Sequence, residues 1–238
     1  MKILALEFSS ARRGVAVVEA VPAASSRRPD ASVAPDGDWK SPAPHGRVLG
    51  LAEATGMTPG PFELIESALR AAGGEREQIE CIAVGLGPGS YTGVRSAIAI
   101  AQGWQLALGV KLLGISSAEV LAATAHAAGL TGRIAVVIDA LRGEFYSASY
   151  ELAPADWREA APLRLLTREA VEALVTDGEL LISPDAKRPP GETRVVLPSA
   201  GELGRLACRN NAFQPGEKLE PIYLRETTFV KAPPPKFY

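Results

Sequence analysis

Short apolar runs and amphipathic stretches follow one another along the chain of 238 residues. Ile3-Leu4-Ala5-Leu6-Glu7-Phe8 reads as a buried strand that ends in a carboxylate, followed by Ser9-Ser10. Gly14 to Ala20 reads as a second strand across the short turn Ala11-Arg12-Arg13, and strands joined so closely pair antiparallel. Val48 to Glu53 would complete a meander. Between them, residues 21–47 are rich in Pro, Ser, Ala, Asp and Arg without an apolar period, which predicts a mobile surface excursion. A helix is expected after Pro61, a favoured first-turn residue. Phe62, Ile65, Leu69 and Ala72 share one face of it, Leu64, Ala68 and Ala71 widen the stripe, and Gly73-Gly74 ends it.

The most informative stretch runs from Ile82 to Gly109. The apolar run Ile79 to Gly85 enters Leu86-Gly87-Pro88-Gly89-Ser90-Tyr91-Thr92-Gly93-Val94-Arg95, and a helical pattern leaves it, so the order is strand, loop, helix. Its glycines imply tight turning or close backbone approach. Ser90 or Thr92 is the expected N-cap, with amides directed out of the loop toward an anion or a carboxylate. The loop has no Lys-Ser or Lys-Thr after its last glycine, so it is not a Walker A loop, and the spacing misses the dinucleotide pattern by one residue. The helix after it is apolar nearly all round, with Val94, Ala97, Ile98, Ala101, Gln105 and Leu108 on one side and Ala99, Ile100, Trp104 and Ala107 elsewhere. Such a helix is covered on more than one side, either within the chain or by another subunit.

Past Gly109 a second unit begins with the strand Val110 to Ile115. A helix over Ala118 to Ala128, a strand Ile134 to Asp139 and an alternating strand Glu144 to Tyr150 follow, with Arg142-Gly143 in a hairpin turn. The acid-ending strand, tight turn and second strand echo the start of the chain, which suggests two related lobes, 1–108 and 109–238. Arg168 to Thr176 and Gly201 to Cys208 read as helices, Leu180 to Ile182 and Val195 to Leu197 as short strands. Ala232-Pro233-Pro234-Pro235 reads as an extended tail.

Composition narrows the function classes. Apolar residues make up 47% and charged residues 22%, a soluble globular mixture. A net charge of −2 with no long basic run argues against nucleic-acid binding by the chain alone. Two cysteines far apart, Cys81 and Cys208, suit a reduced cytoplasmic protein better than a disulfide framework. The first apolar run is ended by Glu7 too early for a signal peptide, and nothing is long and apolar enough to span a membrane. His45 and His126 are the only histidines and lack a partner at ligand spacing, so no metal site is expected. Glu7 and Asp139 end strands where α/β folds place ligand contacts. Arg12-Arg13 reads as solvated surface charge.

The block Ile82 to Gln102 resembles the signature of the TsaB (YeaZ) family, the bacterial partner subunit in threonylcarbamoyladenosine synthesis on tRNA. Leu4 to Ser10 resembles the family's opening strand, Ile138 to Tyr146 its second-lobe hairpin, and Pro221-Ile222-Tyr223-Leu224-Arg225 its C-terminal motif. The resemblance implies an α/β, two-lobed actin/hexokinase/Hsp70-like (ASKHA) fold with mixed sheets flanked by helices. It implies a non-catalytic subunit that pairs with the catalytic TsaD, is joined by the ATPase TsaE, and meets tRNA through the complex. ATP and metal are then expected on the partner subunits, with none held tightly here. The interface helices map to 62–72 and 93–108, which places Phe62, Ile65, Leu69, Ala72, Val94, Ala97, Ile98, Ala101, Gln105 and Leu108 at a partner, or at a second copy in a homodimer. The signature loop and cleft map to Glu7, Ser9, Gly87, Gly89, Ser90, Tyr91, Thr92, Gly93, Arg95, Asp139, Arg142 and Glu144.

Three departures bear on function. Glu7 stands where the family usually has Asp, Leu86 stands where it usually has a basic residue, and residues 57–72 lack the two metal-binding histidines of the catalytic relative. The alternatives are an ATP-binding phosphotransferase or hydrolase of the same fold, or a glycoprotease-like metallopeptidase, against which the absent ligands argue.

Overall fold

A computed structural model describes residues 1–21, 45–185 and 189–224. The excursion expected at 21–47 falls mostly outside these residues, and the Pro-rich tail falls entirely outside them.

The first sheet is a meander of three antiparallel strands, β1 (Lys2–Glu7), β2 (Arg12–Val21) and β3 (His45–Thr55), extended from β1 by parallel β4 (Cys81–Gly85) and β5 (Lys111–Ile115). Its order is β3-β2-β1-β4-β5. Alternation along the strands sends side chains to two cores. Leu4, Leu6, Val15, Val17, Ile82 and Val84 face helices α1 (Pro61–Ala71) and α2 (Tyr91–Leu108). Ile3, Ala5, Ala16, Val18, Cys81 and Ala83 face the opposite way.

The second sheet is built from β6 (Gly132–Asp139), β7 (Glu144–Leu152), β8 (Trp157–Thr167), β9 (Leu180–Ser183) and β10 (Thr193–Val195), in the order β10-β9-β6-β7-β8. Helix α3 (Ser117–Ala127) covers one face through Ala118, Leu121, Ala122 and Ala125, and α4 (Arg168–Thr176) covers the other through Val171 and Leu174. Strand β8 was not legible in the sequence. It is an edge strand with Pro162 and charged outward positions, so its alternation is weak.

Two elements correct the expected division after residue 108. Strand β5 hydrogen-bonds to β4 and belongs to the first sheet. Helix α5 (Ala200–Cys208), which follows the second sheet, lies on the free face of the first through Ala200, Leu203 and Ala207. Helices α3 and α5 touch each other between the two sheets. Sequence order therefore does not divide the chain into two halves, because each lobe's last helix has crossed toward the other. Strand β10 also starts earlier than the Val195–Leu197 run suggests.

Candidate functional site

The carboxyl end of β1 meets the β4–α2 loop, and the glycines there are explained by what they touch. Glu7 is fully buried. Its Oε1 accepts a hydrogen bond from the Ser9 amide at 2.9 Å, and Ser117 Oγ donates to the carboxylate at 3.1 Å. Ser117 Oγ in turn accepts from the Gly87 amide at 3.1 Å, while the Ser117 amide donates to the Gly87 carbonyl at 2.8 Å. A Cβ at Gly85 would overlap the Glu7 carboxylate, and one at Gly93 would overlap the Phe8 carbonyl. Gly89 lies against the Ser9 backbone, and the Ser90 amide donates to the Ser9 carbonyl at 2.6 Å. Burial pushes the Glu7 carboxyl above the ordinary carboxylate range, against the opposing pull of its hydrogen bonds from Ser9 and Ser117.

Ser90 caps α2, its Oγ accepting from the Gly93 amide at 3.3 Å, in agreement with one of the two expected caps. Tyr91 and Arg95 face outward on the first turns of α2. The Arg95 guanidinium lies 4.3 Å from the Tyr91 ring centre, and its Nε donates to Tyr223 Oη at 3.3 Å. The Ile222 amide donates to the Leu86 carbonyl at 2.9 Å, so the C-terminal motif is strapped over the signature loop. Leu86 is half-buried and packs against the first core, a role that a basic residue there would not fill.

Glu7, Ser9, Gly87, Gly89, Ser90 and Gly93 thus come together, with Thr92 beside them on α2. Asp139, Arg142 and Glu144 gather elsewhere, at the β6–β7 hairpin of the second sheet. There Asp139 Oδ1 accepts from the Leu141 amide at 2.9 Å, and Leu141 and Arg142 both adopt positive φ, as a tight hairpin turn requires.

The expected interface residues need correction. Ile65, Leu69, Val94, Ala97, Ile98 and Ala101 are buried in the first core beneath α1 and α2. These residues form the stripe that holds the helices to their own sheet, each large one contributing about 1.5–3 kcal/mol by burial. Ala72 packs half-buried against the same core. Gln105 is engaged internally, its Oε1 accepting from the Gly216 amide at 2.8 Å. Phe62 and Leu108 do face outward, and so do Ala99, Gly103, Leu106 and Ala107. The apolar surplus of α2 is real, but its free side is a different one from the most regular stripe.

Sequence reasoning missed Ser117, although a Ser pair directly after a strand is a cap signal. It also misread Arg13. Along β2, Arg13 shares a face with Val15 and Val17, which point into the first core, and it is itself buried. Arg12 points to the other face, where it pairs with Glu53 at 3.4 Å. Cys81 and Cys208 are free and buried, and burial pushes the Cys81 thiol up to about 12. Among the described residues no three His, Cys, Asp or Glu side chains are grouped as a metal site would need. No helix among them is long and apolar enough to cross a membrane.

A family profile described as TsaD, tRNA N6-adenosine threonylcarbamoyltransferase, matches residues 62–202. The tRNA threonylcarbamoyladenosine biosynthesis protein TsaB of Escherichia coli is 31% identical over 192 residues, 73% of this chain and 82% of its own. The protein of the same name from Haemophilus influenzae is 27% identical over 190 residues, covering 71% of this chain and 80% of its own. The solved structure of YeaZ from Pseudomonas aeruginosa superposes with a TM-score of 0.71 at 25% identity, covering 94% of this chain and 99% of that one. The two mixed sheets flanked by helices are those of the actin/hexokinase-like fold, and with this signature loop and these relatives the chain belongs to the TsaB (YeaZ) family.

Proposed function

We propose that this protein serves tRNA threonylcarbamoyladenosine biosynthesis as a non-catalytic subunit. It pairs with TsaD and holds it in the conformation that transfers the threonylcarbamoyl group to the adenosine next to the anticodon of tRNAs reading ANN codons. The observation that carries this reading is the outward face of α2. Ala99, Gly103 and Leu106 recur there at helical spacing, Leu106 is 89% exposed, and a Cβ on Gly103 would meet nothing within 4 Å. Small residues at that spacing let a second helix approach closely, and exposed leucine beside them gives it apolar surface to bury. The end of β1 supports the same reading. Where a nucleotide-using relative would need open backbone, Glu7, Ser9 and Ser117 occupy the space beside Gly85, Gly87 and Gly89. ATP and metal then belong to TsaD and to TsaE, tRNA meets this chain through the complex, and a homodimer uses the same face in the absence of TsaD.

Mixing the purified protein with TsaD from the same organism, and reading mass by light scattering, tests this. A one-to-one complex is expected, lost in Leu106→Asp and Ala99→Glu while both variants keep the parent Tm within a few degrees. No complex, with ATP and TsaE also present, would sink the reading.

A further inference from the structure

On the sheet face shared with α1 and α2 lies a cavity of about 450 Å³. Phe8, Ser10 and Ala11 from the β1–β2 turn, Thr55 to Met57 and Pro61 beside the start of α1, and Ser90, Thr92, Gly93 and Ser96 of α2 line it together with Arg13. The volume is in the range of small-molecule sites. One residue in it is electrostatically incomplete. Arg13 is only 7% exposed, and its Nη2 donates to the Pro59 carbonyl at 2.7 Å. Its Nε is enclosed with no hydrogen-bond partner, and no carboxylate among the described residues pairs with the guanidinium. Neighbouring acids are engaged elsewhere, Glu53 with Arg12 and Glu63 with the Gly60 amide at 3.0 Å.

A buried cation without a counter-charge is costly and is normally paired. The 18-residue α2 adds to the deficit, because it presents its positive end to the same space. The amides of Tyr91 and Thr92 precede its first internal bond, from the Val94 amide to the Ser90 carbonyl at 3.0 Å. The remaining walls at Phe8, Met57 and Pro61 are apolar, and Met57 stands 80% exposed at the rim.

We propose that this cavity binds a small molecule whose oxyanion, a phosphomonoester or a carboxylate, pairs with Arg13 at the head of α2 and whose apolar body lies against Met57 and Pro61. The anion supplies the counter-charge that the guanidinium lacks, and the apolar part replaces water at the rim. The proposal is independent of TsaD and can stand or fall without it.

The test is thermal unfolding of the full chain with phenyl phosphate, benzoate and inorganic phosphate, each against sodium chloride at matched ionic strength. At a hundredfold excess over Kd, linkage predicts a Tm rise of about 5 °C with phenyl phosphate or benzoate. Inorganic phosphate is expected to bind several-fold more weakly. Arg13→Gln is expected to weaken phenyl phosphate binding at least tenfold. Because removal of a buried guanidinium can also unfold the chain, Thr92→Glu provides a second route: an exposed N-terminal helix position accepts Glu readily. Its carboxylate occupies the anion position, so Tm matches or exceeds the parent while the response to phenyl phosphate disappears. Overturning results are a response no greater than that to chloride, equal affinity for phosphate and phenyl phosphate, or binding unchanged within twofold in Thr92→Glu.

Discussion

In the first sheet β1 lies between antiparallel β2 and parallel β4; in the second, β6 holds the same place between antiparallel β7 and parallel β9. The third antiparallel strand and the outer parallel strand match as well, β3 with β8 and β5 with β10. The connections differ. Between β4 and β5 the chain makes the Gly-rich loop and α2, whereas between β9 and β10 no helix occurs among the described residues. The strand-end acids differ too. Glu7 is sealed under its loop, while Asp139 is half-buried and binds the amide of its own turn. The same wiring therefore carries the candidate interface and the candidate ligand cavity in the lobe whose two parallel strands are joined by α2.

The largest expected effect separates the two sides of that helix. Ile98→Asp places an unpaired charge in the first core and should cost several kcal/mol, enough to abolish cooperative unfolding. Leu106→Asp, two turns further on the outward side, should change stability by less than about 0.5 kcal/mol. Equal loss of the thermal transition in both would mean that α2 is not oriented as described. The next comparison sets Gly85 against Gly143. Gly85→Ala drives a methyl into the Glu7 carboxylate and should cost about 1–3 kcal/mol. Gly143→Ala meets no atom within 4 Å and loses only the ease of its positive φ, about 1 kcal/mol. Denaturant midpoints at constant slope would rank them.

The acids offer a smaller and pH-dependent difference. An acid whose pKa is raised in the folded state stabilises the fold below its unfolded pKa, and that contribution is lost as pH rises through the folded value. Glu7 is such a group, raised by burial. Glu7→Gln should therefore raise Tm at neutral pH, with the gain shrinking toward acid. Thermal unfolding from about pH 4 to about pH 8 reads this directly. A Glu7→Gln curve parallel to that of the parent would show that Glu7 does not titrate in this window. The smallest effect expected is at Tyr223→Phe. It removes the phenol that accepts from Arg95 but keeps the ring, so stability should hold within about 0.5 kcal/mol.

Much of the architecture was legible because it rests on local pattern. The apolar run of β1, the cap at Ser90 and the glycines after α1 each act over a few residues, and the structure places elements there. The turn expected at Ala11 to Arg13 falls earlier, at Ser9 to Ala11, because Arg12 and Arg13 already pair with β3. The signature block identified the family for the same reason, since its glycines answer to contacts that allow no side chain. Strand β8 was illegible because an edge strand buries little and so shows weak alternation.

What the sequence by itself determined is the order of the elements other than β8, the family, and the surplus of apolar surface on α2. Tertiary structure alone decided which side of α2 remains free, because a helix apolar all round carries no mark of the sheet it will meet. It alone decided that α3 and α5 cross between the sheets, and that Glu7 is closed over by Ser117 from more than a hundred residues away. It also turned Arg13 from one of a pair of surface charges into a buried cation. Alternation along β2 set its direction, but its burial is a tertiary outcome, with the guanidinium donating to the Pro59 carbonyl ahead of α1.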